Sequence, residues 1–335
     1  MKQPIITNNQ KPKTGYWQLT TEPMLFSTPT RAALISVGSN TLLVAAKAAV
    51  ALLSGSAALM SEALHSGLDL LASLMAWISL RFSAHPPDWQ HPYGHGKWEN
   101  ISAFLEGLLI LVVALGVFYQ AVPRILQPVP VTLVPLGLAV LAASAGINFL
   151  VSWALKRAAV RFDSVALEAD AAHLATDVYT SLGAMAGLVA YQLTGNALFD
   201  TAAALGVGII ILGIGLKVTY GAFHGLLDTR LPDLEEAEVR QMVHEVEPIL
   251  ELKELRSRKA GPVRYLNLTL VVCRWESLDQ IHRVCDQLEA KIRARFPGAM
   301  IFIHPEPCLV KPTNGDPSSC TCPLQMNISF PVKGE

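Results

Sequence analysis

The sequence predicts a membrane-embedded all-α bundle of six helices, followed by a small cytoplasmic α+β domain of order α-β-β-α-β. Three observations predict it. The 335 residues are 51% hydrophobic and only 16% charged, against roughly 25% charged in soluble domains, and mean hydropathy is +0.37. Apolar runs recur that are long enough to span a bilayer, for which a helix needs about 20 residues. Beyond residue 226 the composition turns polar, and the periodicities become those of a soluble domain.

The six spans are expected near 31–54, 57–82, 100–122, 131–155, 165–191 and 198–222. The connections after the first and fifth spans carry no Lys or Arg. Those after the second and fourth are flanked by Arg81 and Lys97, and by Lys156, Arg157 and Arg161; the one after the third has Arg124 alone. Positive charge marks the cytoplasmic side, so both termini are expected inside, as an even number of spans requires. Residues 1–30 hold Lys2, Lys11 and Lys13 but no apolar signal-peptide core, and read as a cytoplasmic N-terminal segment. The membrane part is expected over 31–225 and the cytoplasmic domain over 226–310. In that domain 233–246 suits an amphipathic helix with acidic residues at its start. Strand character follows at 249–256 and in VRYLNLTLVV (263–272), then a helix at 278–295 and a strand in AMIFIH (299–304). Residues 311–335 read as a disordered tail, and Cys320 and Cys322 stand too close for the usual CxxC zinc knuckle. A net charge of −1 speaks against a nucleic-acid partner, and no Walker sequence for a nucleotide occurs.

The second span contains SEALHSGLD (61–69). When residues 56–76 are set over 164–184, nine of 21 positions are identical, with His65 over His173, Asp69 over Asp177 and Glu62 over Asp170. Residues i and i+4 share a helix face, so each span presents one His–Asp pair. The two spans run in opposite directions, which makes the halves inverted repeats, a layout of secondary transporters that bind substrate near the midplane. Two imidazoles and two carboxylates converging on one point form a four-coordinate N/O site suited to Zn²⁺. A buried carboxylate costs at least about 2.5 kcal/mol on insertion scales unless a cation neutralises it. A divalent metal or protons serve equally, and they compete for the same atoms. The expected function is therefore metal/proton antiport that exports Zn²⁺ from the cytoplasm. Fe²⁺, Cd²⁺ or Co²⁺ export by the same mechanism is the alternative, since such a site does not separate these ions by affinity. A membrane-embedded metalloenzyme is disfavoured: no HExxH is present, and with all four positions filled by side chains no water is left to activate.

Three further features carry chemistry. In DWQHPYGHGK, the spacing of Asp88, His91 and His95 permits a second metal site if the loop turns, although Pro92 and Gly94 oppose a regular helix. Lys97 and Asp228 both fall at the inner membrane boundary and are expected to pair, tying the two parts together. Asp170, one turn from His173 toward the cytoplasm, is expected to guide ions or relay protons. Asn40 and Asn148 read as interhelical hydrogen-bonding residues.

The motifs SEALHSGLD, HPYGHGKWE (91–99), ALEADAAHLATD (166–177) and LLDTRLPD (226–233) together resemble those of the cation diffusion facilitators, bacterial zinc and iron efflux type, over roughly 30–310. The resemblance implies a homodimer in the bacterial inner membrane, with a metallochaperone-like cytoplasmic domain and proton-driven export of divalent metal. It implies a transport site of His65, Asp69, His173 and Asp177, and metal binding by Asp88, His91 and His95. Members with Asp in place of His65 accept a wider range of metals, so this pattern looks the more zinc-selective. No organic cofactor is implied; Zn²⁺ enters as substrate and as a regulatory ligand of the cytoplasmic domain. There His282, His304 and Glu306 are retained, but Lys253 and Thr269 stand where metal-binding relatives often have histidines. One cytoplasmic site through His282, His304 and Glu306 is the expectation that remains.

Overall fold

The computed structural model describes residues 27–54, 57–126, 135–196 and 198–309. Most of the expected N-terminal segment, the 311–335 tail with Cys320 and Cys322, and the side chain of Glu62 lie outside the described residues. Six long helices come first: α1 (Pro29–Ser54), α2 (Ala57–Ser83), α3 (Lys97–Leu126), α4 (Pro135–Phe162), α5 (Val165–Thr194) and α6 (Leu198–Leu226). At 26 to 30 residues each they are about 39–45 Å long, more than the ~30 Å hydrocarbon layer. Among the described residues α1, α2, α3 and α6 are long and apolar enough to cross a membrane by length and composition alone. The α5 helix carries Glu168, Asp170 and Asp177 along its length. Large apolar side chains such as Leu42, Leu53, Val112, Leu115 and Ile209 face outward, as a bundle solvated by lipid requires.

Helix ends follow local chemistry. α4 runs on through Lys156 to Phe162, because its cationic side chains can reach past the apolar layer; the Arg157 guanidinium lies 4.0 Å over the Trp153 ring. Ser164 caps α5 by accepting the Leu167 N–H, and Gly195 ends it in the left-handed conformation at φ 69°. α3 and α6 approach so closely at Gly107 that a Cβ there would stand 2.8 Å from the Thr219 backbone nitrogen.

The second part is α7 (Asp233–His244), β1 (Ile249–Ala260), β2 (Val263–Val272), α8 (Leu278–Arg295) and β3 (Met300–Pro307). The sheet order is β1-β2-β3; β1 pairs antiparallel with β2, and β2 pairs parallel with β3 across the α8 crossover. Alternation along β2 buries Leu266, Leu268, Leu270 and Val272 beneath the helices. Val239 and Val243 of α7 and Leu288 and Ile292 of α8 close this core. A capping box of Ser277 and Gln280 starts α8.

The two parts touch where the α2–α3 loop and the α4–α5 turn meet the β1–β2 hairpin. A Cβ on Gly96 would stand 2.3 Å from the Ala260 carbonyl oxygen, so glycine is needed for that approach. Lys97 Nζ lies 2.7 Å from Asp228 Oδ1 and also donates to the Gly225 carbonyl at the end of α6. Arg258 Nη1 reaches the same Asp228 oxygen at 3.1 Å and stacks on Tyr93 and Tyr265 at 4.9 and 4.4 Å. Asp163, in the α4–α5 turn, accepts from Lys259 and, at 2.6 Å, from Arg264 Nη1.

Candidate metal centre

α2 and α5 cross inside the bundle, and the crossing brings the His–Asp pairs together diagonally. His173 Nε2 lies 3.3 Å from Asp69 Oδ1, and His65 Nε2 lies 4.0 Å from Asp177 Oδ1. Ligand atoms of His65, Asp69 and Asp177 all fall within 4.8 Å of one another, and His173 joins them through Asp69. Asp69 and His173 are buried. The surrounding helices hold this group in place. Asn40 of α1 donates to the Asp69 carbonyl and to Ser73 Oγ, both at 3.3 Å. Asn148 of α4 donates to Asp177 Oδ2 at 3.3 Å. Two imidazoles and two carboxylates thus lie close together in the bundle interior, where unpaired carboxylates are costly.

The α2–α3 loop gathers the second group. Ligand atoms of Asp88, His91 and His95 lie within 4.8 Å of one another. Asp88 Oδ1 is 3.4 Å from His91 Nδ1, and Asp88 Oδ2 is 3.4 Å from His95 Nε2. No helix is needed: Asp88 folds the loop around itself by accepting the backbone N–H groups of Gln90 and His91 at 2.9 and 2.6 Å. Gly94 turns the chain at φ 80°. The His91 N–H bond chiefly holds the Asp88 carboxyl below its ordinary value of 3.8, helped by the Gln90 N–H and opposed by desolvation. His95 Nδ1 is buried without a hydrogen-bond partner. One acid and two imidazoles around a common point fit a divalent cation.

The expected cytoplasmic site is not brought together within the chain. β3 alternates, so Ile301 and Ile303 face the cleft under α8 that His282 also lines, whereas His304 turns to the opposite face. His282 sits 3.9 Å from Asp286 on its own helix. Glu306 accepts from Lys253 Nζ at 2.6 Å, so an ammonium already stands against its carboxylate. That hydrogen bond to the Glu306 carboxylate raises the Lys253 pKa above its ordinary value. Thr269 pairs in register with His304.

Among the described residues of the six long helices, sequence reasoning passed over the burial of three ionisable side chains. Glu99, 3% exposed, accepts from Ser164 Oγ at 2.5 Å and Ser83 Oγ at 3.0 Å, joining α2, α3 and α5. Lys47 of α1 donates to Ser66 Oγ at 2.7 Å, one residue from His65. Glu106 is fully buried in α3 with Ser102 Oγ 3.1 Å from its Oε1. Lys47 and Glu106 lie inside apolar runs, where an ionisable residue is itself the signal; Glu99 stands in the polar opening of α3, where its burial has no such mark.

A helical membrane bundle with acids and imidazoles gathered in its interior, and a small α+β domain docked on its inner face, defines a cation carrier. Residues 33–227 match the family described as the cation efflux transmembrane domain, and residues 231–308 match the cytoplasmic domain of cation efflux proteins. The chain is 33% identical over 301 residues to the uncharacterized transporter sll1263 of Synechocystis, covering 90% of this chain and 95% of that one. It is 33% identical over 289 residues to the cation-efflux pump FieF of Escherichia coli K12, covering 85% and 95%. Among solved structures, CzrB in its Zn form is 36% identical, covering 24% of this chain and 92% of the other, with a TM-score of 0.23. The chain belongs to the cation diffusion facilitator family. It is an integral membrane transporter with a cytoplasmic C-terminal domain, it exports divalent cations, and it is not an enzyme.

Proposed function

We propose that this transporter exchanges cytoplasmic Zn²⁺ for protons, with His65, Asp69, His173 and Asp177 as the transport site. The observation that carries the reading is the diagonal contact of the two pairs, His173 with Asp69 at 3.3 Å and His65 with Asp177 at 4.0 Å. Four N/O donors favour a small tetrahedral ion over Ca²⁺, which wants six to eight oxygens. Fe²⁺, Cd²⁺ and Co²⁺ remain competitors because ligand type does not separate them. Metal needs the imidazoles neutral and the carboxylates ionised, so protons must leave as metal enters and return as it departs. Opposed orientation of α2 and α5 gives such a site access to either face by rocking of the two halves.

The rest of the assembly follows from the same reading. The protein works as a homodimer in a bacterial inner membrane, with both termini cytoplasmic. Asp88, His91 and His95 hold a second metal ion at the membrane edge. Asp170 lines the cytoplasmic approach. Lys97 and Asp228 couple the domains.

Flux into proteoliposomes tests the proposal. Zn²⁺ is expected to move against Fe²⁺, Cd²⁺ and Mn²⁺ as competitors, faster with an opposing proton gradient, and Asp69→Ala is expected to stop it. Zn²⁺ flux indifferent to an imposed pH gradient overturns proton coupling; preference for another competitor overturns the choice of metal.

A further inference from the structure

His173 has two ring nitrogens in two different surroundings. Nε2 faces Asp69. Nδ1 is buried and has no hydrogen-bond partner. A neutral imidazole that gives its Nε2 lone pair to a metal carries its hydrogen on Nδ1. That N–H is then a buried donor in the bundle interior, and it needs an acceptor.

Two carboxylates with a spare oxygen lie in the same part of the bundle: Asp170 is one turn from His173 on α5, and Glu106 stands in α3 between Ala103, which clusters with Ala169, and Ile110, against whose cluster Ala172 packs. Glu106 of α3 and Asp170 of α5 are both 0% exposed. Each has one oxygen held by a serine: Ser102 Oγ is 3.1 Å from Glu106 Oε1, and Ser36 Oγ donates to Asp170 Oδ1 at 3.1 Å. Each has its second oxygen, Glu106 Oε2 and Asp170 Oδ2, buried without a partner. Glu106, Asp170 and His173 act on one another electrostatically. They are not gathered as metal ligands, since the groups of three within 4.8 Å among the described residues are the two already described. The serine on each inner oxygen fixes the carboxylate and leaves the outer oxygen for something else.

We propose that Glu106, supported by Asp170, is the positioning carboxylate of His173: it accepts the Nδ1–H when Nε2 takes the metal. This rests on the reading of His173 as a transport-site ligand. Such an outer carboxylate fixes the tautomer and the ring orientation and makes the imidazole a better ligand. The bond is open in the present structure, where Nε2 is turned to Asp69, and metal loading closes it. That one bond satisfies two of these buried atoms, His173 Nδ1 and Glu106 Oε2. Glu106 lies in α3, two helices before the α5 motif it serves, in a helix that contributes none of the four transport-site residues.

The test uses the whole protein in detergent, with the loop group removed by Asp88→Ala, His91→Ala and His95→Ala so that the membrane site is read alone. Zn²⁺ affinity by competition titration and the visible spectrum with Co²⁺ are measured for Glu106→Gln, Glu106→Asp, Asp170→Asn and His173→Ala. Glu106→Gln is expected to weaken Zn²⁺ by roughly 10- to 100-fold, the usual effect of losing an outer-shell partner, while Co²⁺ retains a tetrahedral band shifted in position. Glu106→Asp is expected to recover part of the loss. Gel-filtration profile and unfolding temperature identify a variant that merely misfolds, and Asp170→Asn then gives the independent reading. Unchanged affinity in both Glu106→Gln and Asp170→Asn overturns this inference while leaving the transport site standing. If His173→Ala itself leaves affinity unchanged, the transport-site reading is what fails. Loss of a whole metal ion per protomer in Glu106→Gln, rather than weaker binding, makes Glu106 a ligand and also overturns the positioning role.

Discussion

At the scale of single residues, the chemistry is set by which buried charges have partners. Asp69 is 5% exposed and stands between His173 and the carboxylate of Asp177. Asp69→Asn keeps the shape but removes the charge that a divalent ion needs. We expect it to abolish Zn²⁺ flux and to lower bound metal by one ion per protomer, measured by equilibrium dialysis. Lys253 makes the opposite point. Its ammonium lies 2.6 Å from Glu306 and takes the place of a cation on that acid. Lys253→His, in an Asp69→Asn background, is expected to add Zn²⁺ binding through His304 and Glu306; dialysis showing no extra metal would count against this account. The His–Asp pairs of α2 and α5 were legible because four-residue spacing on a helix and an inverted repeat are local patterns. The separation of His282 from His304 was not, because the face on which a strand residue falls depends on register, and His304 sits one step out of phase with Ile303. Glu106 was passed over for a related reason. Its neighbours are on α5, and no spacing within α3 announces them.

At the scale of elements, small residues decide how closely helices approach. In α3, Gly107 faces Thr219 of α6, where an added Cβ would stand 2.8 Å from the backbone nitrogen and 3.0 Å from Cα. Backbone atoms cannot rotate away, so the helices must part. Gly107→Ala is expected to destabilise by about 1–3 kcal/mol, the usual cost of overpacking, read as a fall in unfolding temperature in detergent. Gly116 lies on the same helix with nothing within 4 Å of an added Cβ. Gly116→Ala should therefore be neutral or stabilise by up to about 1 kcal/mol through helix propensity. Equal effects at both positions would mean that close packing is not what Gly107 provides. Element type and order were readable throughout, since apolar length marks a span and alternation marks β2. The ends were less so. α4 continues seven residues beyond the expected 155 to Phe162, because Lys156, Arg157 and Arg161 extend from a helix without needing an apolar surround.

At the scale of the whole molecule, the cytoplasmic domain meets the bundle through charges on its hairpin and at the start of α3, where Lys97 is the central one. It pairs with Asp228 at 2.7 Å and donates to the last carbonyls of α6, at Gly225 and at Leu226. Asp228 is about half exposed, so the ion pair alone is worth only about 0–1 kcal/mol. The carbonyl contacts add a charge-assisted bond of roughly 1.5–3 kcal/mol. Lys97→Ala is therefore expected to loosen the domain more than Asp228→Asn does. Protease cleavage between residues 226 and 233, compared across the two single variants and the double variant, reads the difference. The pH dependence has a definite sign. Partial burial works against ionisation of Asp228, but bonds from Lys97 and Arg258 outweigh it and hold the carboxyl below its ordinary 3.8. A depressed carboxyl contributes stability above its unfolded value and loses it as pH falls through the folded one. Cleavage should thus stay constant from about pH 8 to 5 and rise only below about pH 4. An increase already complete by about pH 6 would show that Asp228 does not control the junction.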